Sequence, residues 1–213
     1  AYGFAMSLGF VAYIIAMTET TVANVLFIIS SQTIWLAIFG YLFLKEKIRL
    51  KTLLSIILAM IGITVMISGS LDTGSLKGNL IALYIPINFA FLILLIRKFP
   101  KIDFFPSLLI AGFLSVVYGF IMSKTIVVSK HDLFIVFLLG SFQHAFGFIC
   151  ITIGARSTPA VIVGLLMLTE TLCGPFWVWL FLNEIPPMSV FLGGSIILVA
   201  VIFNTIEQKY SNS

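Results

Sequence analysis

Eight apolar runs, each long enough to cross a bilayer, follow one another with only short polar linkers between them. They fall at about residues 1–17, 21–44, 50–68, 79–97, 106–123, 133–154, 158–182 and 188–206. A helix rising 1.5 Å per residue needs roughly 20 residues to span the ~30 Å hydrocarbon core. Hydrocarbon offers no partner to a backbone N–H or C=O, and a helix satisfies both internally. The 213 residues are 61% hydrophobic and 9% charged, with mean hydropathy +1.19. A soluble domain carries about 25% charged residues, and a soluble helical core would alternate polar with apolar faces. The expected class is an all-α polytopic membrane protein.

Lys and Arg set the expected orientation. Alternate linkers divide into a rich group (Lys45, Lys47, Arg49, Lys51, Arg97, Lys98, Lys101, Arg156, Lys209) and a poor one (Lys77, Lys124, Lys130). The positive-inside rule places the rich side, and with it the C-terminus, in the cytoplasm; a bacterial inner membrane is the expected location. The formal charge of +4 is then loop bias and not a nucleic-acid surface. Cys150 and Cys173 lie inside apolar runs without metal-ligand spacing, so they are expected to pack as small hydrophobes.

The chain matches itself, without a gap, at an offset of 138 positions. Gly9 falls on Gly147, Phe10 on Phe148, Thr20 on Thr158, Val25 on Val163 and Thr33 on Thr171. Leu42, Phe43, Leu44 and Glu46 then fall on Leu180, Phe181, Leu182 and Glu184, and Leu54 on Leu192. The later unit, residues 71–213, holds five runs, and the earlier, residues 1–70, holds three. The expectation is a native protein of ten spans, with eight present here and the first unit N-terminally truncated. A five-span unit is odd-numbered, so its two copies lie in opposite orientations. Inverted repeats with a site near the midplane are a transporter architecture.

Polar side chains deep in a span are costly and usually face the bundle interior. Gln32, Asn88, Gln143 with His144, and Glu170 each fall near the middle of a run. A carboxylate at a helix centre costs roughly 2.5–3.5 kcal/mol on insertion scales, so Glu170 must be protonated, paired or facing water. Helical spacing puts Glu170, Cys173, Gly174 and Trp177 on one stripe. Pro175 is predicted to free the Thr171 carbonyl and kink the helix. Pro86 does the same beside Asn88, which shares a face with Tyr84; Trp35 follows Gln32 by about one turn. His144 is a candidate proton site. Each residue also has a plainer reading: a neutral Glu170 bonded to a neighbouring helix, a satisfied helix-to-helix His144, and Trp177 as an interfacial anchor. Glu46 and Glu184 sit at span ends, where a structural role is expected.

These residues resemble the drug/metabolite transporter superfamily, specifically its EamA-like ten-helix permeases. The resemblance is carried by Thr158, Pro159, Ala160, Glu170, Pro175, Trp179, Leu180, Phe181, Leu182, Glu184, Gly193 and Gly194, with Thr21, Ala23, Leu42, Phe43, Leu44 and Glu46 in the earlier copy. It implies a ten-helix inverted-repeat carrier for small organic solutes such as amino acids, metabolites or drugs. The family often has Pro next to the mid-span Glu; here Pro175 is five residues on. The earlier copy has Gln32 in place of Glu and Ala37 in place of Pro, which argues against a symmetric two-carboxylate mechanism.

The expected function is a permease working by alternating access, with proton coupling through Glu170 and His144 as a further expectation. Its solute pathway is expected at Glu170, His144, Gln143, Asn88, Tyr84, Trp177, Gln32 and Trp35. Neither a cofactor nor a metal is expected. Two other classes compete: an intramembrane lipid-modifying enzyme, and a non-transporting receptor or scaffold. The enzyme would need a nucleophile or metal triad at one depth, and a receptor would have no water-accessible midplane cavity.

Overall fold

A computed structural model of the chain describes residues 1–68, 75–123, 129–182 and 188–211; the side chains at 22, 23, 67, 171, 172, 174–178, 181, 182 and 205–211 lie outside the description. Among the described residues the regular structure is all helical: α1 Tyr2–Glu19, α2 Val22–Ser30, α3 Gln32–Leu44, α4 Leu50–Ile67, α5 Leu76–Lys98, α6 Phe105–Met122, α7 Lys130–Leu138, α8 Phe146–Ala155, α9 Ala160–Leu182 and α10 Met188–Ser211. A π-helical segment, Leu139–Ala145, joins α7 to α8 in one rod. Among the described residues, five helical stretches are long and apolar enough to cross a membrane: Tyr2–Glu19, Asn24–Leu44, Leu76–Lys98, Phe105–Met122 and Lys130–Ala155. Leu50–Met66, Ala160–Glu170 and Met188–Asn204 are shorter apolar stretches. Together they follow the eight runs. The boundary expected near residue 70 lies outside the described residues.

Local chemistry places the helix ends. Thr21, Ser75 and Ser129 accept hydrogen bonds from the backbone N–H groups of Asn24, Gly78 and Asp132, so each caps an N-terminus. Arg97 and Lys98 occupy the last turn of α5, where the helix dipole favours cations. The run at 21–44 departs from expectation, because it is two helices broken at Ser31. Ser30 and Ser31 turn their hydroxyls back onto the carbonyls of Leu26 and Ile28, at 2.7 and 2.6 Å. Such back-bonding competes with the helical ladder and bends it. By contrast, α5 continues through Pro86 and α9 through Pro175, so neither proline ends its helix.

α4 packs against α10, α1 against α5 and α6, and α3 against α5 and α9. The close approaches use small residues, as membrane helices do when no hydrophobic force drives them together. A side chain at Gly193 would strike the Gly62 carbonyl and the Met66 backbone. One at Gly164 would come within 2.9 Å of Thr33 Cα, and the Thr33 hydroxyl donates to the Gly164 carbonyl at 3.1 Å. The α7–α8 rod differs: α7 is exposed along its length, and only Thr152 and Ala155 of α8 are buried. Cys150 and Cys173 are exposed, so neither is the core packing residue expected from its apolar run.

Glu46 does more than end a span. Lys45 adopts the left-handed conformation (φ 56°, ψ 28°), and the Glu46 N–H reaches back to the Gly40 carbonyl at 3.0 Å. The turn folds the carboxylate over Gly40. Its Oε1 accepts from Arg97 Nε and Nη2 at 3.1 and 2.7 Å, and its Oε2 from the Ala160 N–H at 2.9 Å. One acid thus joins the end of α3, the last turn of α5 and the first turn of α9. Arg97 also donates from Nη1 to the Arg156 carbonyl at 3.2 Å. The opposite end has a looser tie, an exposed Lys77–Glu19 pair at 2.8 Å and a hydrogen bond from the Thr20 hydroxyl to Asn79 Oδ1 at 2.9 Å.

Candidate functional site

The π-helical segment carries Gln143 and His144 in the middle of the α7–α8 rod. Such segments shift the register of the side chains beyond them and are frequent at functional sites. His144 stands over Phe10 of α1, with ring centroids 4.6 Å apart and planes at 62°. Phe148, one turn on, completes the group at 5.1 Å from His144 and 5.3 Å from Phe10. Phe10 and Phe148 are counterparts in the 138-residue repeat, and here they touch. Tyr13 lies one turn beyond Phe10 on α1, and its hydroxyl is within electrostatic reach of the Glu170 carboxylate on α9. Phe10, His144 and Phe148 thus form one aromatic cluster between α1 and the rod, and Tyr13, on the same helix as Phe10, feels the charge of Glu170. Tyr13 is 41% exposed, and His144 and Glu170 are also exposed. The site is open on the flank left by the rod.

The other expected site residues divide. Gln143 is exposed beside His144. Tyr84 is 39% exposed on α5. Asn88 is buried, and its amide donates to the Ala5 carbonyl at 3.0 Å. It lies over Gly9, where an added Cβ would come within 2.6 Å of Asn88 Nδ2. The amide is thus spent on joining α5 to α1. Asn88→Ala is expected to cost about 1 kcal/mol of stability, read as a lower unfolding midpoint in detergent, with the solute affinity of the folded fraction unchanged. Gln32 is buried at the start of α3, just past the Ser31 break. Trp35 is half-buried and meets Phe39 edge-on at 6.3 Å, in the apolar core beside α5. The side chains of Trp177 and Pro175 lie outside the described residues.

Sequence reasoning missed Phe10, Tyr13 and Phe148. Phe10 and Phe148 were visible only as a repeat pair, and Tyr13 carried no signal among 21 Phe and 6 Tyr. A separate apolar groove of about 380 Å³, lined by Ile34, Ile57, Ile61 and Thr64 among others, includes none of the mid-depth polar residues.

A bundle of apolar helices of this length and composition defines an integral, multi-pass membrane protein. The particular family follows from comparison. Residues 2–68 and 76–206 match the EamA-like transporter family, and the chain belongs to it. An uncharacterized transporter of Clostridium kluyveri is 25% identical over 225 residues, covering 97% of this chain and 70% of that protein. A solved crystal structure superposes with a TM-score of 0.83 at 15% identity, covering 96% of this chain and 74% of that one. At that identity the likeness speaks for the fold alone.

Proposed function

We propose that the chain is a permease for small organic solutes that works by alternating access, and that its solutes carry a protonated amine. The carrying observation is the aromatic cluster of Phe10, Phe148 and the exposed His144, with Tyr13, one turn from Phe10, in electrostatic reach of the exposed Glu170. A carboxylate matches an amine by charge-assisted hydrogen bonding. Aromatic faces hold an apolar body and add cation–π attraction. The membership of a transporter family supports carriage over intramembrane catalysis.

The Lys- and Arg-rich end faces the cytoplasm in this reading, with the C-terminus inside a bacterial inner membrane. The two units, 1–70 and 71–213, are inverted halves; the contact between the repeat mates Phe10 and Phe148 supports that symmetry. Glu170 and His144 together could exchange a proton with the solute, coupling transport to a pH gradient.

Uptake of a labelled panel into proteoliposomes tests the reading. Amine-bearing solutes, amino acids included, are expected to enter saturably and to compete with one another, and neutral or purely anionic analogues of the same size are not. Saturable uptake of the anions in preference to the amines would overturn the solute class. An uptake rate indifferent to an imposed pH gradient would remove the proton coupling.

A further inference from the structure

We propose that Glu46, Arg97 and the first turn of α9 form the gate that closes the Lys- and Arg-rich end of the pathway. The inference rests on the alternating-access reading, because a carrier needs a contact at each end that holds in one state and parts in the other. Three features single out this node.

It joins the right pieces. Glu46 belongs to the earlier unit, and Arg97 and Ala160 belong to the later one. The ion pair is therefore a bridge between units and not a brace within either. Arg97 extends the bridge to the Arg156 carbonyl at the end of the α7–α8 rod. The rod is buried only here, at Thr152 and Ala155, and is exposed from Lys130 to His144 save half-buried Ser141. The rod thus meets the other helices at this end and stands apart from them along the rest of its length.

It is built for a strong but breakable hold. The pair is mostly sheltered, with side-chain exposures of 16% for Glu46 and 20% for Arg97. Both carboxylate oxygens are used, one by the guanidinium and one by a helix N-terminus whose dipole favours an anion. The counterpart pair at the far end, Lys77 with Glu19, is 68% and 35% exposed and is solvated. Of the two ion pairs, the one at the Lys- and Arg-rich end is therefore the firmer.

It is aimed by local backbone. The left-handed Lys45 turns the chain so that the carboxylate lies over Gly40, and a Cβ at Gly40 would come within 3.0 Å of Oε2 and 3.4 Å of Ala160 Cβ. Gly40 lets α3 approach α9 and leaves room for the acid between them. Leu36, one turn deeper on α3, is fully buried beneath the node.

The test is thiol accessibility beneath the gate, with no solute present. Leu36→Cys is placed in a chain with Cys150→Ala and Cys173→Ala, in membrane vesicles of each orientation. A membrane-impermeant thiol reagent is then added. With the gate intact, labelling from the Lys- and Arg-rich side is expected to be slow. Glu46→Gln removes the charge from the bridge and is expected to speed it about tenfold, the shift that loss of one charge-assisted contact gives a two-state equilibrium. Gly40→Ala displaces the carboxylate without changing any charge and is expected to act in the same direction. Arg97→Lys keeps the charge but not the planar fork, and an intermediate rate is expected. Labelling as slow in Glu46→Gln and Gly40→Ala as in the parent would overturn the gate. Faster labelling in a chain that carries no solute would leave the gate standing and the carrier reading lost. Unchanged labelling with intact uptake would overturn the gate alone.

Discussion

Glu170→Gln is expected to lower solute uptake about tenfold to hundredfold, the range set by 1.5–3 kcal/mol for a hydrogen bond to a charged group. The membrane level of the protein is expected to stay at that of the parent. The substitution keeps the shape and hydrogen-bonding capacity of the side chain and removes its charge. Glu170 is exposed, so nothing in the core depends on that charge. Flux and immunoblot from the same vesicles read the two quantities together. Uptake at the parental rate would reject Glu170 as the solute's anchor, and a fall in protein level matching the fall in uptake would assign it a structural role instead. Its repeat counterpart makes the contrast physical. Gln32 is buried at the start of α3. A carboxylate there would lose its hydration, which is costly, and a neutral amide lowers that cost. The exposed member of the repeat pair is the acid, and the buried member is the amide.

The spans were legible because length and apolarity are local properties. Each run reports its own helix, whatever surrounds it. The break at Ser31 was not legible, since Ser30-Ser31 is an ordinary pair in a membrane helix until both hydroxyls turn back on the Leu26 and Ile28 carbonyls. The π-helical segment at Leu139–Ala145 likewise lacks a proline or any other marker. Polarity at mid-span was visible, but its direction was not. Asn88 and His144 look alike along the chain; only the opposing surface separates them, Gly9 and the Ala5 carbonyl for one and the ring of Phe10 for the other. Glu46 was read as a structural span end. Arg97 was counted only as a loop charge, because a pair separated by 51 positions has no sequence signature.

Gly193→Leu is expected to lower the unfolding midpoint sharply by forcing α4 and α10 apart. An added Cβ alone would strike the Gly62 carbonyl and come within 2.5 Å of Met66 N and 2.6 Å of Met66 Cβ. Two of those contacts are backbone, which has no rotamer to escape into, so α4 and α10 must separate. Overpacking of this kind costs about 1–3 kcal/mol, and the branched side chain adds lost contact along the seam. Ile63 and Ile197, which sit in that seam, are fully buried. The smaller Gly193→Ala should fall by less in the same direction, and Gly62→Ala should resemble it, since its Cβ would meet Gly193 O and Ile197 Cγ1 at 2.8 Å. Gly112→Ala, Gly119→Ala and Gly147→Ala supply the comparison, because nothing lies within 4 Å of a Cβ at those positions. Unfolding midpoints in one detergent, measured side by side, would separate the two groups. Equal midpoints would mean that α4 and α10 do not hold the close approach that Gly62 and Gly193 allow.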